Sequence, residues 1–315
     1  MDTIVYSLES HDFEEMEQTL SGWDHQYQQI SPGAFRGSLL HTQTGSIGIF
    51  RNRWERAIHY QGVAPKGAIG LAITLSQTEE GRWLGQRAGI DDVIIQRCGA
   101  EAEYLSAPLW DSVVFVISEE ELVNQFVGIT DGDPYKLLHT HGVVHLIPPL
   151  AAQVRQACLS YLQVAAHSIA APDAASLVSA MANSTLALVV RALVSSLPTR
   201  DIRHSVNRHR QLINKAREFS AHCPEQPLRI GELCRAIGAS ERTMRDAFHK
   251  TTGMSPLAYL KNERLNRVYR SLRDADPTEV LIKQIAYDNG FVHLGQFCGD
   301  YKALFGELPS ETLQR

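Results

Sequence analysis

The spacing of apolar residues changes along the chain and divides it into a β-rich part and a helical part. Between about residues 22 and 149, short apolar runs such as 69–75 and 112–117 alternate with Gly, Pro and Asp. Many short runs separated by turn residues are typical of an all-β sandwich or barrel. Residues 1–149 are therefore expected to form a β-rich domain, with residues 1–20 as a polar lead-in.

Two segments rich in Ala, Leu and Val follow a pair of prolines. Residues 150–170 and residues 174–197 have the length and apolar spacing of helices. They predict a helical linker region over residues 150–200, which either packs in a core or pairs two subunits of a homodimer. No apolar run reaches the roughly 20 residues that a membrane span needs, so we expect no membrane association.

From about residue 203 onward the apolar spacing is that of helices, and residues 207–315 are expected to form an all-α domain. The predicted helices cover residues 207–222, 230–238, 241–252, 256–272, 280–289 and 292–305. The second and third helices are separated by the short turn Ala239-Ser240, and the fifth and sixth by a short turn that contains Gly290. This is the build of a helix-turn-helix, whose second helix can lie in a DNA major groove. The predicted fold class is α+β, with two such units.

In the first helix-turn-helix unit, Met244 and Phe248 are expected to face inward, and Ser240 to cap the second helix. The polar residues left outside, which are expected to contact DNA, are Arg242, Thr243, Arg245, Asp246 and His249. Arginine donors match guanine edges and phosphates, which favours Arg242 and Arg245 as the base contacts. The alternative is that both arginines are solvated surface residues.

In the second unit, Ala286 lies where a partner helix must come close, and Asn289-Gly290 can take the left-handed conformation that ends a helix. The residues assigned to packing are Val280, Ile282, Ile285 and Phe291. The residues available to meet DNA are His293, Leu294, Gln296, Gly299 and Asp300, with Lys302 as a phosphate contact.

The charge distribution separates the same two parts. Of the 30 Lys and Arg and 35 Asp and Glu in the chain, 17 and 13 lie in residues 207–315, which leaves 13 and 22 for residues 1–206. A basic C-terminal third on an acidic body is expected when one domain meets phosphate and the other does not. The net charge of −5 therefore does not exclude a nucleic-acid partner.

No enzyme motif is present, because the chain has no glycine-rich phosphate loop, no GxSxG and no HExxH. We therefore predict no enzymatic activity and no cofactor. The alternative is a metal-binding, cupin-like β-barrel enzyme fused to a helical tail, with ligands from His139, His141 and His145. His139 and His141 would point the same way on a strand, but no nearby carboxylate has suitable spacing, so no metal site is predicted.

The five cysteines are scattered, odd in number and without a CxxC, which indicates free thiols in a reducing compartment. The N-terminus is acidic and has no basic region followed by an apolar one, so it is not expected to be a secretory signal. Both observations predict a cytoplasmic protein.

Residues 207–315 resemble the DNA-binding domain of the AraC/XylS family of bacterial transcription regulators. The first set of residues that carries the resemblance is Gly253-Met-Ser-Pro256, Tyr259, Arg264 and Leu265. The second set is Ile285-Ala286, Gly290-Phe291, Phe297, Tyr301-Lys302, Phe305-Gly306 and Pro309-Ser310. The resemblance implies seven helices, with two helix-turn-helix units set into adjacent major grooves of promoter DNA.

Within that family, the chain looks similar to the branch of the ethanolamine-utilisation operon regulator. The residues that suggest this include His293-Leu-Gly-Gln-Phe297, Asp300-Tyr301, Leu304-Phe-Gly-Glu307, Trp23, Phe35 and Phe50-Arg51. The resemblance implies a β-barrel, cupin-like sensor domain at the N-terminus that binds a small-molecule effector. It also implies an activator of a catabolic operon that recruits RNA polymerase.

Two residues depart from the family pattern. Gly299 stands where many members carry an arginine aimed at DNA, and Asp246 stands where arginine or a neutral polar residue is common. We therefore expect the first unit, through Arg242 and Arg245, to supply more of the base specificity than the second.

A polar and aromatic cluster follows one predicted strand of the N-terminal domain. The residues proposed to bind the effector are Arg51, Trp54, Glu55 and Tyr60. Glu55 could pair with an amine, and Trp54 or Tyr60 could cover it by a cation–π contact. The alternative is an exposed strand edge. Trp83 and Trp110 are expected to be core residues.

Overall fold

The computed structural model describes residues 3–19, 24–130, 133–168, 174–197, 206–222, 229–278 and 280–315. These residues fall into two compact units. The first unit is made of described residues within Met1–Tyr27, Arg36–Trp83 and Arg87–Asp201. The second is made of those within Gln28–Phe35, Leu84–Gln86 and Ile202–Arg315.

The N-terminal half is built on two antiparallel sheets. Its strands are β1 (Thr3–Ser10), β2 (Asp24–Gln29), β3 (Gly37–Thr44), β4 (Ile47–Trp54), β5 (Ile58–Val63), β6 (Ala68–Ser76), β7 (Gly81–Trp83), β8 (Gln86–Ala88), β9 (Asp92–Gln96), β10 (Glu101–Leu105), β11 (Trp110–Ser118) and β12 (Gly142–His145). One sheet has the order β1-β3-β4-β11-β6-β9-β12, and the other has the order β2-β5-β10-β7-β8. The predicted β-rich domain is confirmed.

Short and long helices complete the first unit. They are α1 (Phe13–Gln18), α2 (Glu119–Val127), α3 (Tyr135–Leu138), α4 (Pro148–Ser168) and α5 (Ala175–Ser196). The expectation of a polar lead-in is wrong. The strand β1 pairs along its whole length with β3, and α1 buries Phe13 and Met16. Because β1 lies at the edge of the sheet and keeps most of its side chains partly exposed, its sequence lacks a strong apolar alternation.

The seven-stranded sheet buries one face against α4 and α5. On β11, Val113, Phe115 and Ile117 are almost fully buried and belong to one apolar cluster with residues of both helices, among them Val154 and Val189. Since alternate strand residues point to opposite faces, Val114 and Val116 point the other way. The two helices are therefore core elements of the first unit, and the pairing of subunits through them remains a prediction.

The helix α5 corrects one expectation. It is long and apolar enough to cross a membrane by length and composition alone, although no such segment was expected. Its apolar character has a different cause, because Val178, Leu186 and Val190 are fully buried in the cluster under the sheet. A core helix of this kind passes the same test of composition as a membrane span.

The second unit contains seven helices among the described residues. They are α6 (Val206–His222), α7 (Ile230–Ile237), α8 (Glu241–Thr252), α9 (Pro256–Arg273), α10 (Ile282–Asp288), α11 (Leu294–Phe305) and α12 (Pro309–Leu313). One apolar cluster holds α6, α7, α8 and the start of α9 together. A second cluster consists of aromatic rings, in which Tyr301 packs against Phe297 and Phe305. The six predicted helices are confirmed to within about two residues at each end.

Candidate nucleic-acid interface and buried cavity

The first helix-turn-helix unit consists of α7, a three-residue turn and α8. The helix α7 ends at Gly238, whose φ of 71° lies in the left-handed region that favours glycine. The side chain of Ser240 then accepts a hydrogen bond from the Thr243 backbone N–H at 3.1 Å, so the predicted cap is confirmed. Leu233 and Met244 are fully buried between the helices. This packing fixes which face of α8 points outward.

All five DNA-contact candidates of the first unit lie exposed on that outer face. They are Arg242, Thr243, Arg245, Asp246 and His249. The Arg242 guanidinium makes no ion pair or hydrogen bond with another residue that the structure describes. Arg245 reaches Glu241 at 3.3 Å, but both side chains are exposed, and such pairs contribute little. Both guanidinium groups can therefore turn toward an incoming base or phosphate.

The charge of Asp246 is fixed by its neighbour one turn along α8. The Lys250 ammonium donates a hydrogen bond to the carboxylate at 2.8 Å, and this bond lowers the pKa of Asp246 below its usual range. The carboxylate is therefore ionised at neutral pH, where it repels phosphate and can accept a hydrogen bond from cytosine N4. Together with Arg242, Arg245 and His249, it lines a shallow depression that continues to Ser255.

The second unit consists of α10, a turn and α11. Ala286 is fully buried on α10, and Gly290, with a φ of 81°, takes the left-handed conformation in the turn. The rings of Phe291 and Phe297 pack 5.0 Å apart and hold the turn against α11. At the start of α11, His293 occupies the cap position without a side-chain hydrogen bond.

The outer face of α11 is chemically poorer than that of α8. His293, Gln296, Gly299 and Lys302 are exposed, whereas Leu294 and Asp300 are half-buried. Asp300 accepts a hydrogen bond from the Lys261 ammonium at 2.8 Å, so this carboxylate is held back against α9. What remains for DNA is one imidazole, one amide and one ammonium group.

The first unit also contains a buried cavity of about 80 Å³ between its two sheets. Half of the residues in its walls are aromatic. The lining residues are Tyr27, Phe50, Asn52, Trp54, Tyr60, Gly70, Ala72, Trp83, Ile94, Gln96, Tyr104, Trp110, Val114 and Val116. The rings pack edge to face or tilted, with the Trp54 and Trp110 centroids 4.8 Å apart. Concave, mostly apolar pockets with few polar groups are typical of small-molecule sites.

The four effector candidates from the sequence do not lie together. Trp54 and Tyr60 line the cavity, whereas Arg51 and Glu55 do not. Arg51 forms an ion pair with Asp111 at 2.7 Å, because odd-numbered residues of β4 point away from the cavity. Glu55 follows the end of the strand and lines a separate polar depression.

The described residues of the cavity wall offer hydrogen-bond donors but no charged side chain. The Tyr60 hydroxyl donates to the Gln96 side-chain oxygen at 3.1 Å, and burial raises the pKa of Tyr60, so the phenol is neutral. The indole N–H groups of Trp54 and Trp83 are buried and have no hydrogen-bond partner among the described residues. A buried donor without a partner costs free energy that an acceptor on a ligand would recover.

Most of the residues that line this cavity are not predicted from the sequence. Tyr27, Tyr104 and Trp110 are spread over three strands. Trp83 and Trp110 are buried, as predicted for core residues, and they also line the cavity. The signal that could have found them is alternation, since Phe50, Asn52 and Trp54 occupy successive inward positions of β4. The alternation along one strand does not tell which other strands face it across the cavity.

The three histidines of the alternative metal site do not converge. His139 ends the short helix α3 and His141 lies in the loop before β12, so the strand geometry that the alternative metal site requires is not present. The imidazole of His139 contacts the Tyr135 carbonyl, that of His141 contacts the Glu101 carbonyl and the Arg97 backbone N–H, and that of His145 contacts the Asp92 carboxylate. Among the described residues, no group of three or more possible ligands could hold a metal ion.

Part of the second unit matches a known protein family. A family model described as a helix-turn-helix domain matches residues 233–315. A probable thc operon regulatory protein from Rhodococcus erythropolis is 36% identical over 96 residues, which cover 30% of this chain and 29% of that protein. A XylDLEGF operon transcriptional activator from Pseudomonas putida is 40% identical over 76 residues, 24% of each chain. The matched segments thus span less than a third of these relatives.

A likeness to a solved structure extends further along the chain. The crystal structure of the AraC-like transcriptional activator CuxR covers 83% of this chain and 94% of its own, with 14% identity and a TM-score of 0.46.

The helices and their outer faces define a DNA-binding domain with two helix-turn-helix units. Residues 233–315 match the helix-turn-helix family model, and the chain is similar over part of its length to operon regulators. The finer resemblance to the ethanolamine-utilisation branch remains a prediction.

Proposed function

We propose that the protein is a sequence-specific transcription regulator whose activity is controlled by a small molecule in the aromatic cavity. The observation that carries the DNA-binding part is the exposed face of α8, where Arg242 and Arg245 have no buried ion-pair partner among the described residues. The named relatives are operon regulators and activators, which supports activation of a catabolic operon.

Several finer points belong to the same proposal. The partners are double-stranded promoter DNA, RNA polymerase and the effector, and the protein acts in the cytoplasm as a homodimer. Exposed Leu159 on α4 and exposed Leu177 on α5 support pairing through these helices, since large apolar side chains exposed on core helices suit a subunit contact. The predicted domain boundaries, 1–149, 150–200 and 207–315, are kept as the working division of these roles.

Selection of DNA sites from a random duplex pool tests DNA recognition with the full chain. Two helix-turn-helix units set in successive major grooves should select two sequence blocks about 10 base pairs apart. Affinity should fall as salt rises, because bound phosphates release counterions. Enrichment of no sequence, together with binding that is equal for all duplexes, would contradict sequence-specific recognition.

The chemistry of the cavity narrows the class of effector. Among the described residues that line it there is no Asp or Glu, so an amine would lose its hydration without gaining a carboxylate partner. The two indole N–H groups without partners call for an acceptor instead. We therefore propose a small, neutral, apolar or aromatic molecule that carries an oxygen acceptor, and the earlier hypothesis of an amine becomes the competing outcome.

Tryptophan fluorescence is a direct measurement of cavity binding, because all four tryptophans precede residue 111. Three of them, Trp54, Trp83 and Trp110, line the cavity. Benzyl alcohol, benzaldehyde and phenol should change the emission of the full chain and raise its melting temperature, whereas ethanolamine should do neither. Trp83→Phe should weaken binding, and Glu55→Gln, which lies outside the cavity, should not. A response to ethanolamine that Glu55→Gln abolishes would favour the amine.

A further inference from the structure

The second unit includes a short segment from far away in the sequence. Residues 28–35, which begin at the end of β2, group with the C-terminal helices rather than with the strands around them. The contacts that hold this segment are hydrogen bonds to side chains of α9 and to backbone carbonyls of α11. They join residues more than 200 positions apart.

On α9 the anchor is Asn266, which is fully buried. Its side-chain oxygen accepts the Gln29 backbone N–H, and its side-chain nitrogen donates to the Gln29 carbonyl, both at 2.9 Å. One amide side chain thereby matches both backbone groups of one residue, as a neighbouring strand would. One turn earlier, the Asn262 side chain donates to the Ile30 carbonyl at 3.2 Å. The segment is therefore fixed along α9 at two successive residues.

On α11 the same segment binds the C-terminal end. The last carbonyls of a helix have no partner within the helix and need one from elsewhere. The Gly33 backbone N–H donates to the Ala303 and Leu304 carbonyls at 3.1 and 3.0 Å. The side-chain nitrogen of Gln29 donates to the Leu304 carbonyl as well. Residues 28–35 thus cap the helix that the second unit would place in the major groove.

The fit is close enough to exclude a side chain on the neighbouring glycine. Gly306 ends α11 in the left-handed conformation, and a Cβ at this position would collide with the backbone of Ala34. At the equivalent end of α8, Gly253 has the same conformation but open space around it. Among the described residues, the end of α11 is therefore enclosed by a distant segment, whereas the space around Gly253 at the end of α8 is open.

We infer that residues 28–35 are a positioning element of the second helix-turn-helix unit, which is complete only when this N-terminal segment is docked on α9 and α11. Gln29 and Asn266 act through α11 and need not touch DNA. This inference rests on the proposed DNA-binding function for its effect on recognition, but not for the docking itself.

Two variants of the full chain test the docking by hydrogen exchange. Asn266→Ala removes the anchor on α9, and Gln29→Leu removes the side-chain donor to α11. Both should speed exchange of the Gly33 amide by about tenfold while α8 stays protected. Gln26→Leu, an exposed change on the same strand, is the matched control and should leave exchange unchanged. Exchange of residues 29–34 at open-loop rates in the wild type would overturn the docking.

A footprint on the selected DNA site tests the consequence. In Gln29→Leu the block contacted by α11 should lose protection, with about tenfold weaker binding there, while the block contacted by α8 keeps it. Equal weakening of both blocks would show general damage and would overturn the positioning role. If the wild type selects no DNA site, the proposed function fails, while the exchange measurement still decides whether the segment is docked.

Discussion

The two helix-turn-helix units of the C-terminal domain have the same backbone plan and different surfaces. In both units a left-handed glycine lies in the turn, Gly238 in the first and Gly290 in the second. Another left-handed glycine ends the second helix, Gly253 after α8 and Gly306 after α11. The outer face of α8 carries two arginines, whereas the only cation within α11 is Lys302. The plan of the unit therefore does not determine how strongly it recognises DNA.

The two units also differ in how their second helices are held in place, and here the second unit has the additional contacts. The end of α8 is open around Gly253, whereas the end of α11 is enclosed by residues 28–35. The unit with the stronger donors thus relies on its own apolar cluster for its position. The unit with the weaker donors is held by a segment from another part of the chain. Recognition chemistry and positioning are separate properties here.

The largest expected effect concerns the two glycines that end the second helices. Gly253→Ala should destabilise α8 by about 1–2 kcal/mol, because alanine is strained in the left-handed conformation. Gly306→Ala should cost α11 the same amount and at least about 1 kcal/mol more, since Ala34 must also move. Native-state hydrogen exchange of α8 and α11 measures both. Equal destabilisation of α8 and α11 by the two substitutions would mean that the contact with Ala34 adds nothing to the cost at Gly306.

The next effect in size concerns base recognition by α8. Arg242→Ala should weaken binding to the selected site by about 1–3 kcal/mol and relax the preference at one base position. Arg191→Ala, which removes an exposed arginine from α5, is the control for loss of charge alone. Titration of labelled duplexes with single-base changes measures affinity and preference together. Unchanged affinity and selectivity in Arg242→Ala would make α8 the wrong helix.

A smaller effect is expected from adding a donor to the weaker unit. Gly299 is exposed and has open space around it, so Gly299→Arg introduces no clash and brings a guanidinium to the outer face of α11. Binding should tighten, and the slope of log affinity against log salt should steepen by about 1. Gly299→Ala separates this effect from the gain in helix propensity. A slope equal to that of Gly299→Ala would indicate that this face does not meet DNA.

The smallest effect is expected at Asp246. Asp246→Asn removes a negative charge from the face of α8 and releases Lys250, so binding at low salt should tighten slightly. The hydrogen bond from Lys250 lowers the pKa of Asp246. The stabilisation from this ion pair is therefore fully present above the ordinary pKa of the carboxylate. It is lost as the pH falls through the lowered pKa. DNA affinity of wild type and variant, compared between pH 7 and pH 5, should therefore differ by a constant ratio. A ratio that changes across this range would contradict the assignment.

The C-terminal domain could be predicted from sequence because its information is local. The cap at Ser240, the turn glycines and the inward positions of Met244 and Phe248 all lie within a few residues of the helices they define. Helical periodicity then decides the outer face, and all five candidates on α8 are indeed exposed. The spacing of apolar residues does not predict the short helix α12, because five residues are too few to show a helical periodicity.

The cavity could not be predicted in the same way. Arg51 and Trp54 are close in sequence, but strand alternation sends them to opposite faces, where Arg51 meets Asp111 and Trp54 meets Trp110. The remaining walls come from strands whose order in the sheets differs from their order in the chain. Long-range pairing decides which side chains share a cavity, and one-dimensional spacing does not encode it.

The sequence by itself determined the helices of the C-terminal domain, their turns and the donors on α8, because each depends on contacts within a few residues. The tertiary structure alone decided that aromatic side chains from both sheets enclose one cavity and that Asn266 receives the backbone of Gln29. The physical reason is the range of the interactions. A cap or a helical face is fixed by its neighbours, whereas the partner of a buried amide or an open helix end is fixed only when distant segments pack.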